Sequence, residues 1–332
     1  MSSRASLTLG RRGSRTPGQT RRRRAGRTGD RVMRVMCAAA GLLLVLVLAD
    51  VVYQVAHNAE PAISRFGLGF LAHTTWRPNV FIEGAGALIF GTAVSSAIAL
   101  VLATPLGIAI GLYLSMIAPP RVRAVVGPLV EMLAAVPSII YGFWGLVVLV
   151  PFVDHLEPGL HSALGFIPLF GRPATIGLSL LSAGLVLTVM ILPIISALSR
   201  DLFLTVPQEL TDGAAALGAT RWEIIRGIVL PSTASGVGAA VILGLGRALG
   251  EAIAVSFVIG DVSTSIHPNV FAPASSMAER IANQFPGALN NLHVAAMFYV
   301  GLILVVIGLF TSLAARAIAS RFDVNRTIGS VI

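Results

Sequence analysis

Long apolar runs alternate with short polar segments along the whole chain. The runs fall at about 35–55, 86–116, 124–151, 174–199, 230–259 and 292–318, and each holds the roughly 20 residues a helix needs to cross about 30 Å of hydrocarbon. The pattern therefore predicts an all-α integral membrane protein with six transmembrane helices. Several runs exceed the required length, which implies tilt or extension beyond the lipid. The expected organisation is a disordered tail at 1–34, an anchor helix at 35–57, an exterior loop at 58–85, a core of five spans at 86–320 and a tail at 321–332. The core contains a long cytoplasmic loop at 200–229. The first run is too long for the apolar part of a signal peptide, and no small-residue cleavage site follows it, so it is expected to stay as an anchor.

Composition agrees with this class. Hydrophobic residues make up 55% of the chain and charged residues 12%, with a mean hydropathy of +0.84, whereas soluble domains carry about 25% charged residues. The net charge of +9 comes from 24 basic residues, all Arg. Eleven of these precede residue 35, in a stretch too polar to build a core. The remainder is nearly balanced, which argues against a nucleic-acid binder; the tail's charge suits either anionic lipid binding or topology determination alone. Positive charge marks cytoplasmic segments. With the amino terminus inside, 19 Arg residues are cytoplasmic, among them Arg121, Arg123, Arg200, Arg221, Arg226 and Arg316. Arg65, Arg77, Arg172 and Arg280 lie outside, so both termini are expected in the cytoplasm. Trp76 and Trp144 suit interface or packing positions better than ligand stacking.

Arg247 interrupts the fifth run, with Glu251 four residues on. A charge within a bilayer costs several kcal/mol and faces a partner, a water-filled cavity or a substrate. Guanidinium presents a planar fork of donors to tetrahedral oxyanions, so Arg there points to an anion. On a continuous helix Glu251 would share a face with Arg247. Gly244, Gly246 and Gly250 remove side chains nearby, and the small-xxx-small spacing of Gly246 and Gly250 favours close helix packing; the same lack of bulk would also widen a passage. Pro137 predicts a break in the third helix that exposes polar groups at Ser138. Glu131 reads as a solvated interfacial charge or a pathway residue. No phosphate-binding loop is possible without Lys, no zinc motif is present, and the lone Cys37 cannot form an internal disulfide. No cofactor is expected on this chain, and energy must come from a partner.

The loop from Val206 to Pro231 has the pieces of two short helices about a glycine. Pro207 suits a helix start, the alanines favour helix, and Gly218 permits a positive φ. Ile224, Ile225 and Ile228 would form one apolar face. The segment resembles the EAA loop of ABC importer permeases: Asp212-Gly213-Ala214 stands at the triplet, Gly218 follows at the family spacing, and nine residues later comes Ile228-Val229-Leu230-Pro231. Asp replaces Glu, and Gly213 replaces an Ala at a helix cost of roughly 1 kcal/mol. The resemblance implies the MetI-like permease architecture and docking of this loop on a cytoplasmic ATPase.

A narrower resemblance, over most of 76–320, is carried by Glu131 to Gly145, by Gly246 to Ala252 and by Ile281 to Phe285. These segments are similar to PstC-type permeases of bacterial phosphate importers. That likeness implies an ATP-driven importer subunit, not an enzyme, in the bacterial plasma membrane. Its expected partners are a second homologous permease, two ATPase subunits holding ATP and Mg, and an extracytoplasmic phosphate-binding protein. Arg247, Glu251 and Ser138 become expected substrate-pathway residues. Glu251 would either neutralise Arg247 or, protonated, donate a hydrogen bond to monohydrogen phosphate; Ala252 stands where relatives carry a Thr hydroxyl. Another oxyanion, such as sulfate or molybdate, is the nearest alternative substrate. An ATP-independent transporter or channel would leave the coupling loop without a use, and a purely structural membrane anchor would leave the intramembrane Arg247 without one.

Overall fold

The computed structural model describes residues 18–173, 176–261, 266, 268–288 and 290–321. All of its regular structure is helical, apart from two isolated bridges. Six helices among the described residues are long and apolar enough to cross a membrane. Two compact units are distinguished, residues 1–54 and 55–332.

Helix α1 spans Gly18–Phe66. The stretch from 18 to 34, expected to lack structure, is helical, while 1–17 lie outside the described residues. Helical propensity of its Arg residues and continuity with an apolar span extend the helix there. Within the first unit, the side chains of 29–54 are exposed on every face, the condition of a helix solvated by lipid rather than by protein. The helix also passes the expected boundary at 57, through Pro61, and ends before Gly67 at φ +58.

In the second unit, α2 covers Gly86–Ile117, α3 Pro120–Ala134, α4 Ser138–Leu164 and α5 Leu180–Leu204. The third span is therefore not 124–151. Pro137 has no amide hydrogen and forces the preceding residue out of the α region, so α3 stops at Ala134 and the spanning helix begins at Ser138. It runs thirteen residues past the expected end, carrying the fully buried Glu157. The Tyr141 hydroxyl bridges the break by donating to the Leu133 carbonyl at 2.6 Å.

Helix α5 is the hub. Leu187, Met190, Ile191 and Ile195 are almost wholly buried, against Ala99 and Ala103 of α2 and Tyr141 and Val150 of α4. Lipid tails are as apolar as leucine, so this contact is held by close packing rather than by exclusion of water. Several hydroxyls in the spans are satisfied within their helices, Thr92 donating to Leu88, Ser95 to Gly91 and Thr188 to Gly184, whereas the hydroxyls of Ser96, Thr104 and Ser199 are buried with no partner among the described residues.

The chain continues through α6 at Gln208–Ala216, α7 at Arg221–Leu249, a single turn α8 at Ile253–Ser256, α9 at Met277–Gln284 and α10 at Asn291–Arg321. Residues 322–332 lie outside the described residues. Three π turns, Tyr113–Ile117, Gly145–Leu149 and Ile225–Val229, each stand two residues before a proline, at 119, 151 and 231. Where the helix continues through the proline, as at 151 and 231, its ring collides with the carbonyl four residues back, which belongs to the π turn; at 119 the chain has already left the helix, Ala118 being extended. Opening the turn to i→i+5 bonding relieves that collision.

Candidate functional site

Helix α7 ends earlier than its apolar run. Gly250 caps it at φ −90 and ψ 0, and its amide donates to Gly246 at 3.3 Å. Glycine at 246 and 250 weakens the last turn. Glu251 therefore does not lie on the face of Arg247. Its Oε1 instead accepts the Ala254 amide at 3.1 Å, starting the α8 turn. Among the described residues no ion pair joins Arg247 to Glu251, so the expected one-face arrangement is corrected: the chain breaks between the two.

Arg247 is exposed and lines a groove of about 620 Å³ with Ile194 of α5, Ala239, Ile242, Leu243 and Gly246 of α7, and Ser312 and Arg316 of α10. Neither Ser138 nor Glu251 is among the lining residues. Ser138 sits half-buried at the start of α4, and Tyr141, one turn further, lies within reach of the Arg247 charge. Of the three glycines expected at a helix seam, Gly244 alone packs closely within the chain: a Cβ there would meet Ile195 at 3.1 Å. One at Gly246 would meet nothing within 4 Å, and one at Gly250 only the Gly246 carbonyl at 3.5 Å. Gly246 thus opens space beside Arg247 rather than bringing two helices together. Arg316 was expected simply as a cytoplasmic charge. Side-chain length, which lets an Arg near a helix end reach several ångströms along the bundle, was the missed signal.

The segment from Val206 to Pro231 has the expected local plan of a helix, a glycine turn and a second helix. Gly218 adopts φ +89, and Ala214 accepts from Leu217 and Ala219 across the turn. A reciprocal box starts α7: Glu223 accepts the Thr220 amide at 2.7 Å, and Thr220 accepts the Glu223 amide. The expected face of Ile224, Ile225 and Ile228 is altered. The π turn advances the chain by one residue, so Val229 is buried and Ile228 is only half-buried. Ala214 and Leu230 pack with Ile224, Val229 and Phe203, whereas Asp212, Gly213, Gly218 and Pro231 are exposed. Leu217 is 91% and Trp222 64% exposed, an apolar pair with no cover in this chain. Behind the segment, Arg200 bonds both Glu131 and Asp201 at 2.6 Å, joining α3 to α5. That contact makes Glu131 an ion-pair partner at a helix junction.

Sequence reading missed a polar cluster around α9. Arg280, 4% exposed, donates to Asp261 at 2.8 Å and Ser275 at 2.7 Å and lies 5.8 Å from the Trp76 ring. Trp76 donates to Gln284 at 2.8 Å. Glu279 is fully buried and accepts from Asn283 and the Ser276 amide. Burial foremost, with the nearby Asp261 charge, pushes its carboxyl up to about 7 against the opposing pull of Arg280. Beside it, Glu83 meets His293 at 2.8 Å, and burial raises the Glu83 carboxyl above its ordinary range. The spacing Ser276-Met277-Ala278-Glu279 was the available signal, a capping box; nothing in it announced the ion pair.

Residues 103–324 match the model of the binding-protein-dependent transport system inner membrane component family. The chain belongs to that family. This permease is 40% identical over 299 residues to the phosphate transport system permease protein PstC of Mesorhizobium japonicum, covering 89% of this chain and 91% of the relative. The PstC of Pasteurella multocida is 41% identical over 286 residues, covering 85% and 89%. PstC 1 of Mycobacterium tuberculosis is 36% identical over 326 residues, covering 91% and 95%. Among solved structures, a bacterial alginate ABC transporter aligns over 89% of this chain and 98% of its own, with TM-score 0.53 and 18% identity. The MetNI methionine ABC transporter aligns over 72% and 94%, with TM-score 0.50 and 21% identity. These likenesses establish the ABC permease fold. The permease is a multi-pass component of the bacterial inner membrane.

Proposed function

We propose that this chain is a membrane permease subunit of an ATP-driven importer for inorganic phosphate. The observation that carries the reading is identity of about 40% to phosphate permeases over nearly the full length of both chains. The site agrees with it. Arg247 lines a membrane groove, and among the described residues it has no carboxylate partner, which is the state of a cation awaiting an anion.

The remaining machine follows from the family. A binding protein delivers substrate outside, and an ATPase works in the cytoplasm. The full set comprises two ATPase subunits carrying ATP and Mg, and a second homologous permease that closes the open side of the Arg247 groove. Both termini face the cytoplasm. Leu217 and Trp222, flanking Gly218, insert into the ATPase, whose closure tilts α7 through the segment from Asp212 to Pro231. Glu251, next to the α7 break, and Ser138, at the α4 start, border the passage as separate polar stations.

The test is radiolabelled phosphate uptake by the reconstituted complex, with and without ATP and with excess sulfate or molybdate. ATP-dependent uptake that resists both competitors is expected, along with its loss in Arg247→Gln at normal expression. Preferential uptake of either competitor, or uptake indifferent to ATP, would overturn the substrate or the coupling respectively.

A further inference from the structure

The groove that holds Arg247 holds a second cation, Arg316, and no acidic side chain among its lining residues. Neither guanidinium makes an ion pair or hydrogen bond to a described residue. Arg247 lies two residues before the end of α7 and Arg316 five before the end of α10. Helical side chains lean back toward the amino end of their own helix. Two long cationic side chains, one from each helix, thus border a single space. Ile194, Ala239, Ile242 and Leu243 give that space apolar walls, and the Ser312 hydroxyl adds a further donor.

Like charges sharing an apolar-walled groove raise the energy of the empty state, and an oxyanion between them lowers it through charge-assisted bonds to each fork. We infer that Arg316 forms a second oxyanion subsite, to which the anion is handed from Arg247 on its way to the cytoplasm. This rests on the proposed function and adds a residue to its passage. A phospholipid headgroup offers the same phosphate chemistry. A headgroup is distinguished from a free ion by the dependence of its effect on lipid composition.

The experiment uses the complete complex in proteoliposomes, with Arg316→Gln, Arg316→Lys and, in a Cys37→Ser background, Arg316→Cys. Losing one charged-group bond corresponds to about tenfold or more. Arg316→Gln is expected to lower ATP-driven phosphate uptake by that factor, with most of it regained by Arg316→Lys and binding-protein-stimulated ATP hydrolysis retained. Inorganic phosphate is expected to slow labelling of Arg316→Cys by a water-soluble thiol reagent. Uptake by Arg316→Gln within twofold of wild type would overturn the assignment, and so would labelling indifferent to phosphate, whatever the uptake. A defect confined to vesicles of anionic phospholipid, absent in purely zwitterionic ones, would assign the pair to a headgroup and overturn it equally. Failure of the wild-type complex to import phosphate would instead count against the proposed function, whereas normal wild-type import beside an unaffected variant counts only against Arg316.

Discussion

Arg280→Gln tests whether the polar cluster holds α9 in place. The guanidinium is 4% exposed, while the side chain of its partner Asp261 is 44% exposed. Breaking a fully buried pair costs about 3–5 kcal/mol and an exposed one at most about 1 kcal/mol. The mixed exposure places this loss near 2 kcal/mol. The position over Trp76, 5.8 Å from the ring centroid, adds about 1 kcal/mol for a desolvated cation–π contact. Together these give roughly 3 kcal/mol, or about a hundredfold in an opening equilibrium. Amide hydrogen exchange of the peptide covering Ser276–Gln284, measured on the complex in lipid nanodiscs, should accelerate by that order. Peptides from α5 should be unchanged, since the loss is local. Wild-type exchange over α9 in the variant would refute the view that Arg280 pins the element, and would imply that its capping box and the Trp76–Gln284 bond suffice.

Gly213→Ala should favour α6 by up to about 1 kcal/mol, because the added methyl meets nothing within 4 Å; improved thermal stability without loss of uptake checks it. Gly218→Val should do the reverse, because φ is +89 there and a left-handed β-branched residue costs about 1–2 kcal/mol or more; the ratio of phosphate imported to ATP hydrolysed should fall. Glu279 holds a proton in the folded state up to about 7, whereas its ordinary value is 4.5. Its contribution to stability is present below 4.5 and is lost as pH rises through about 7. Thermal denaturation of Glu279→Gln should lack that decline, and an unchanged pH profile would exclude Glu279 as its source.

The spans were legible because twenty apolar residues in a row leave the backbone few choices, and the segment around Gly218 because Pro207, the alanines and the glycine all specify local geometry. Boundaries failed where one residue outweighed the hydropathy around it. Pro137 divided a run that composition alone made continuous, and Gly250 ended α7 before its apolar sequence ended. The Arg247–Glu251 face was lost with that helix end. Arg316 and the contacts of Arg280 were invisible for another reason: they depend on which distant elements meet, and no local pattern encodes the pairing of residue 280 with 261 or of 316 with 247.

The π turn at Ile225–Val229 gives the segment before it an angular setting of its own. A residue removed from that turn, such as Gly227, would restore ordinary winding and rotate everything from Arg221 to Ile224 by about 100° about the axis, leaving the helix beyond Leu230 in place. The exposed Trp222 would change its direction, and the buried Ile224 would leave its seat. Chain length here acts as a phase control between the short segment before the π turn and the helix beyond it. One end can change its orientation through insertion or deletion of a single residue while the other keeps every side chain where it stands.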